Sequence, residues 1–206
     1  PISDLDMEWG ALLEVLDNDE TPFRVEIIAN ALRIGDEMRD VDKAVEAATA
    51  LRARNTEKLR FSDHVKLFAD GAFFSQLAQM DAPGYIDGHH GEWMMPLEEL
   101  EARARAFWNA GYKVHIHVTG DLGLAFVTDL LEKLQWERPR FDHRFTIEHF
   151  GFSQPEQISR LAALGACVSA NVYYLYELSP TYAREGIGHE RADSMSRLGS
   201  CVREGI

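Results

Sequence analysis

The chain has 206 residues, enough for one large domain or two small ones, and its 46% hydrophobic and 27% charged residues are an ordinary globular balance. Its net charge of −13 repels a phosphate backbone, which argues against nucleic acid as a partner. No apolar run reaches the roughly 20 residues that cross a bilayer, and no charged-then-apolar leader opens the chain, so no membrane partner is expected and the expected compartment is cytoplasmic.

Residues 1–46 hold 13 Asp or Glu against 4 Lys or Arg, the pattern of a solvated helix face. A strand is predicted at 23–29. Residues 41–59 follow as a helix, with Val41, Val45, Ala48, Leu51 and Leu59 near helical spacing. A second strand is predicted at 64–68. The connection 70–95 is long and irregular, with four glycines, His89, His90 and several aromatics; such connections are functional or mobile. The next helix, 96–110, opens on Pro96 and stops at Gly111. Then come a strand at 113–118, a helix at 121–136 with Leu124, Val127, Leu130, Leu131 and Leu134 on one stripe, a strand at 144–149, a helix at 154–164, a strand at 166–171 and a last helix at 192–203.

Alternating strands and helices imply βαβ units around a parallel sheet, either an open doubly wound sheet or part of a (β/α)8 barrel. No G-x-G-x-x-G follows a strand, and no Walker-type loop is present. Cys167 and Cys201 form no C-x-x-C pattern, so neither a zinc knuckle nor a disulfide framework is indicated.

Three strand ends carry potential chemistry, and in a barrel such ends share one mouth. His115 and His117 fall on one face of their strand by alternation; neutral imidazole is a common metal ligand, and two buried, hydrogen-bonded histidines are the alternative. Lys66 lies among apolar neighbours, where an ammonium is costly without a partner. It is either paired with a carboxylate such as Asp70 or modified by CO2 to a carbamate, an oxygen ligand able to bridge two metal ions. Asp70, before Gly71, could be a ligand, a helix cap or a turn residue, and reads by default as a turn residue. Alternation places Thr146 and Glu148 on one face and His149 on the other, so one of Glu148 and His149 is expected to face the mouth.

The segments Val65-Lys66-Leu67-Phe68-Ala69-Asp70-Gly71, His115-Ile116-His117-Val118-Thr119-Gly120-Asp121 and Phe145-Thr146-Ile147-Glu148-His149 together resemble the amidohydrolase superfamily. The resemblance is to its amidohydrolase family 3 branch, the YtcJ-like and N-substituted formamide deformylase-like metal-dependent hydrolases. Residues 165–171 and 188–192 agree further. The resemblance implies an α/β fold, an incomplete (β/α)8 TIM-type barrel spanning roughly strands three to seven. The whole of 1–206 would be a partial barrel, an internal fragment without the first strands, the last strand and the flanking sandwich domain. It implies Lys66, carboxylated, as the metal ligand of the fourth strand, His117 as that of the fifth and His149 as that of the sixth. His115 matches no family ligand and would lie one layer deeper.

The implied cofactor is zinc, as one or two divalent ions, acting through an activated water on the C–N bond of a small amide-like or formamide-like substrate. Phe73, Phe74, Tyr85 and Trp93 would line the pocket or pack over the mouth. The sequence departs from the family in three places. No His-x-His precedes Lys66, the Ser-Asp with the general-base aspartate would lie beyond Ile206, and Asn171-Val172 stands where relatives have Gln-Pro. The fragment alone is therefore expected to be inactive, to hold metal weakly and to self-associate through exposed barrel edges. The alternative function is a non-catalytic small-molecule-binding or exoenzyme-regulator-like protein on the same barrel.

Overall fold

The computed structural model describes residues 5–31 and 40–206. Five strands, β1 (Val25–Asn30), β2 (Leu59–Phe68), β3 (Lys113–Val118), β4 (Thr146–His149) and β5 (Cys167–Ala170), pair in parallel and in sequence order in one open sheet. Between them run α1 (Leu5–Leu16), α2 (Val41–Ala50), α3 (Leu97–Asn109), α4 (Asp121–Glu137) and α5 (Pro155–Ala163). This is an α/β fold consistent with part of a (β/α)8 barrel. Among the described residues, no helix is long and apolar enough to cross a membrane.

Alternation along the strands separates two faces. Val65, Leu67, Val114, Ile116, Val118 and Ile147 are buried and pack with Leu100, Phe107, Leu124, Val127, Leu131 and Ile158 of the covering helices. The opposite face carries His64, Lys66, His115, His117 and Glu148. Parallel strands buried on two apolar faces read as continuous hydrophobic runs; the alternation of Lys113-Val114-His115-Ile116-His117-Val118 marks a polar inner face instead.

Several elements differ from the sequence reading. The acidic N-terminal stretch is not only a solvated face: α1 lies in it, and Trp9 of α1 stacks on Phe61 at 5.3 Å between ring centroids. Residues 1–4 and 32–39 of that stretch lie outside the described residues. The helix predicted to reach residue 59 ends at Ala50 and passes through a 3-10 turn at Leu51–Arg54. The Asn55 side chain then accepts from Phe61 N–H at 2.7 Å and donates to Phe61 C=O at 3.0 Å, bonds that compete with helix continuation and start β2 five residues early. The last helix is Leu198–Glu204 rather than 192–203.

The connection 70–95 is packed rather than open. It joins residues 174–195 in a second hydrophobic cluster around Phe73, Tyr85, Phe152, Tyr174 and Tyr182. The Phe73 ring lies 4.3 Å from that of Tyr182 and 4.7 Å from that of Tyr174, stacked on both, and the Tyr182 hydroxyl donates to the Phe73 carbonyl. This layer caps the C-terminal ends of the strands. Its seating on β3 is tight: a Cβ on Gly120 would stand 2.0 Å from the Gln79 carbonyl oxygen.

Candidate metal centre

The inner face converges at the rim where β2, β3 and β4 end. Lys66 lies beside His115 and Phe68 beside His117 in the β2–β3 register. His117 lies beside Glu148 in the β3–β4 register, while His149 pairs with Val118, a buried outward residue. Simple alternation would thus send His149 outward. Instead its backbone turns left-handed, with φ 72°, followed by Phe150 at φ 45°, a conformation that a non-glycine residue adopts at a cost. The turn brings the His149 ring to 4.5 Å from the His117 ring, centroid to centroid, at 64°. The expectation that only one of Glu148 and His149 faces the mouth is therefore corrected: both do.

The electrostatics of the three candidates follow from burial. Burial lowers the Lys66 amine to about 8, against the pull of the Glu148 carboxylate. Among the described residues this ammonium forms no ion pair; its Nζ lies 5.5 Å from the centroid of the Phe68 ring. Burial also pushes His117 down to about 4, helped by His149 and Lys66, and lowers His149, helped by Lys66. Both imidazoles are thereby kept neutral, the form a metal requires. His117 Nε2 donates to the Gly71 carbonyl at 3.3 Å, which leaves Nδ1 with the lone pair.

Asp70 is not Lys66's partner and not a solvated turn residue. It is fully buried. Its carboxylate accepts the N–H groups of Thr119 at 2.9 Å, Gly120 at 2.8 Å and Gln79 at 3.0 Å, which places an anion at the N-terminal end of α4. Burial raises it to about 6 against those three donors. Asp70 thus ties β3's tip to the capping layer. The aromatics divide in the same way: Phe73 and Tyr85 are packed, Phe74 is exposed, and Trp93 meets Phe126 edge-on at 6.0 Å.

Beneath the candidates lies a polar layer that the sequence reading missed. His64 Nδ1 is 2.7 Å from His115 Nε2, and His115 Nδ1 is 2.7 Å from Glu148 Oε1. His64 Nε2 lies 3.7 Å from Glu26 of β1, and Ser62 donates to the same carboxylate. Burial raises Glu148, but the His115 bond, Lys66 and the Ser169 hydroxyl outweigh it and hold the carboxyl at about 2. Counting back two residues from Lys66 would have found His64.

The residues present fit a divalent cation as part of a donor set: two neutral imidazoles and an amine able to become a carbamate. No group of three or more His, Cys, Asp or Glu placed for a metal occurs among the described residues. The Amidohydro_3 model, for the amidohydrolase family, matches residues 3–206. The chain belongs to the amidohydrolase family. Its fold is similar to that of an uncharacterized metal-dependent hydrolase from Pyrococcus furiosus, with TM-score 0.69 and 21% identity over 95% of this chain and 38% of that one. It is also similar to one from Pyrococcus horikoshii OT3, with TM-score 0.63 and 20% identity over 94% of this chain and 41% of that one. The chain thus spans about two fifths of the length of these solved structures. Comparison with curated proteins gives no match.

Proposed function

We propose that the protein containing this chain is a metal-dependent hydrolase of C–N bonds in small amide-like or formamide-like substrates. The carrying observation is the convergence of Lys66, His117 and His149 at one rim from three strands. Water adds to the substrate carbonyl and the C–N bond breaks, giving an acid and an amine. A divalent metal, zinc in this reading, would supply Lewis-acid activation of the carbonyl and the water.

The chain's own residues do the rest. His117 and His149, neutral, offer ring nitrogens. Near neutral pH, Lys66 spends part of its time as the free amine that adds to CO2, yielding the carbamate oxygen donor and releasing a proton. The general-base aspartate is expected outside 1–206, and 1–206 itself is read as a partial barrel that is inactive alone. The deciding experiment measures bound metal and amidase activity in the longer protein with Lys66→Ala, His117→Ala and His149→Ala made singly. Each is expected to lower both by at least about tenfold. Unchanged metal content and activity in all three contradict the reading, and metal binding without turnover favours the non-catalytic binding role.

The reading extends to partners. Among the described residues, the outer edges of β1 and β5 pair with no other strand, and unpaired edges favour association. The isolated chain is expected to sediment as a concentration-dependent oligomer. A single monomeric boundary across tens of micromolar contradicts that.

A further inference from the structure

His64, His115 and Glu148 are joined in series across β2, β3 and β4, with both spacings 2.7 Å. Each stands just before a candidate ligand on its own strand. His64 is two residues before Lys66, His115 two before His117, and Glu148 one before His149. The layer beneath the rim therefore repeats, strand by strand, the layer that would hold the cation. A carboxylate only accepts, so His115 Nδ1 carries the proton toward Glu148, and one of the two facing nitrogens, His115 Nε2 and His64 Nδ1, donates to the other. At the two ends, the Glu26 and Asp63 carboxylates lie 3.7 and 3.8 Å from His64 Nε2, and Ser169 hydrogen-bonds Glu148.

The strands already pair through their backbones, so these bonds are not needed to form the sheet. What they add is lateral spacing and side-chain orientation. We propose that His64, His115 and Glu148 are positioning residues whose hydrogen-bonded series holds Lys66, His117 and His149 in one geometry for a divalent cation. This rests on the hydrolase reading. Glu148 matters most, because the left-handed turn that re-aims His149 departs from the residue it anchors.

The test uses the full chain. Zinc affinity is measured by competition with a chromophoric chelator, alongside melting temperature and the ring NMR signals of His117 and His149 in metal-free protein. Glu148→Ala removes the acceptor, Glu148→Gln keeps one, and His115→Phe keeps the ring without its nitrogens. Glu148→Ala and His115→Phe are expected to weaken zinc binding about 10–100-fold, with Glu148→Gln within a few-fold of the parent. The metal-free ring signals are expected to move in Glu148→Ala and return in Glu148→Gln. Equal effects of Glu148→Ala and Glu148→Gln, or unmoved ring signals, overturn the proposal. Where the parent chain's zinc uptake is too weak to measure, the ring signals decide the series alone. His64→Asn, at the part-exposed end, serves if the Glu148 variants do not fold; unmoved ring signals there likewise overturn the proposal.

Discussion

The sheet with its covering helices and the capping layer above it are built on different rules. In the body, strand alternation sorts side chains: Val65, Leu67, Val114 and Ile116 pack outward, and His64, Lys66, His115 and His117 face inward. In the capping layer there is no period. Phe73, Tyr85, Tyr174 and Tyr182 are buried by irregular backbone from two distant segments. The candidate centre lies at the seam. Backbone register fixes its lower wall, and its upper wall depends on loops that must dock. Asp70 crosses that seam, and the comparison can be broken there first.

Asp70→Ala orphans three buried N–H groups and is expected to cost about 3 kcal/mol or more, read from the urea midpoint at constant slope. A loss below about 1 kcal/mol would show that the capping layer does not depend on this carboxylate. Next, Leu131→Ala in the fully buried body is expected to cost about 2–5 kcal/mol and to reduce amide protection throughout the sheet. Phe73→Ala is expected to move the global midpoint less and to expose amides of 72–92 and 174–195 first. Equal loss of protection in the sheet would mean that the two regions unfold as one.

The two regions should also respond to pH in opposite senses. His143, in the body, accepts the Phe145 N–H at Nδ1 and donates from Nε2 to the Leu164 carbonyl, and burial lowers it from 6.5. The unfolded chain then binds the proton first, so this contribution is present above pH 6.5 and lost as pH falls through the lower folded value. His89, in the capping layer, faces acceptors at both nitrogens, Asp87 Oδ1 at 2.5 Å and the Gln76 carbonyl at 2.8 Å. The Gln76 bond and then Asp87 raise it above 6.5. Its contribution is present below pH 6.5 and lost as pH rises through the folded value. Histidine NMR titrations check both; a His89 midpoint at or below that of His143 contradicts the assignment.

Much of the body was legible in the sequence because burial on one face leaves a period. The strand at Lys113–Val118 matches its predicted bounds, and α3, α4 and α5 differ by a residue or two at their ends. The Ala- and Arg-rich stretch after residue 50 kept a helical pattern, but Asn55 gave its side chain to Phe61, and β2 began where the helix was expected to continue. The capping layer had no period to read, and its aromatics gave no sign of which would pack.

At the site, motif order pointed to Lys66, His117 and His149, whereas alternation alone misplaced one of Glu148 and His149. No pattern announces a left-handed turn at a histidine, and the His64–His115–Glu148 series needs register across three strands.

The central claim is that three side chains from three strands form one cation site. Crystals of the chain grown with zinc, recorded on both sides of the zinc absorption edge, test it directly. The account predicts an anomalous peak about 2.0–2.1 Å from a ring nitrogen of both His117 and His149, with the Lys66 side chain directed at it. A map with no peak there, or with zinc held elsewhere while these three groups point apart, contradicts it.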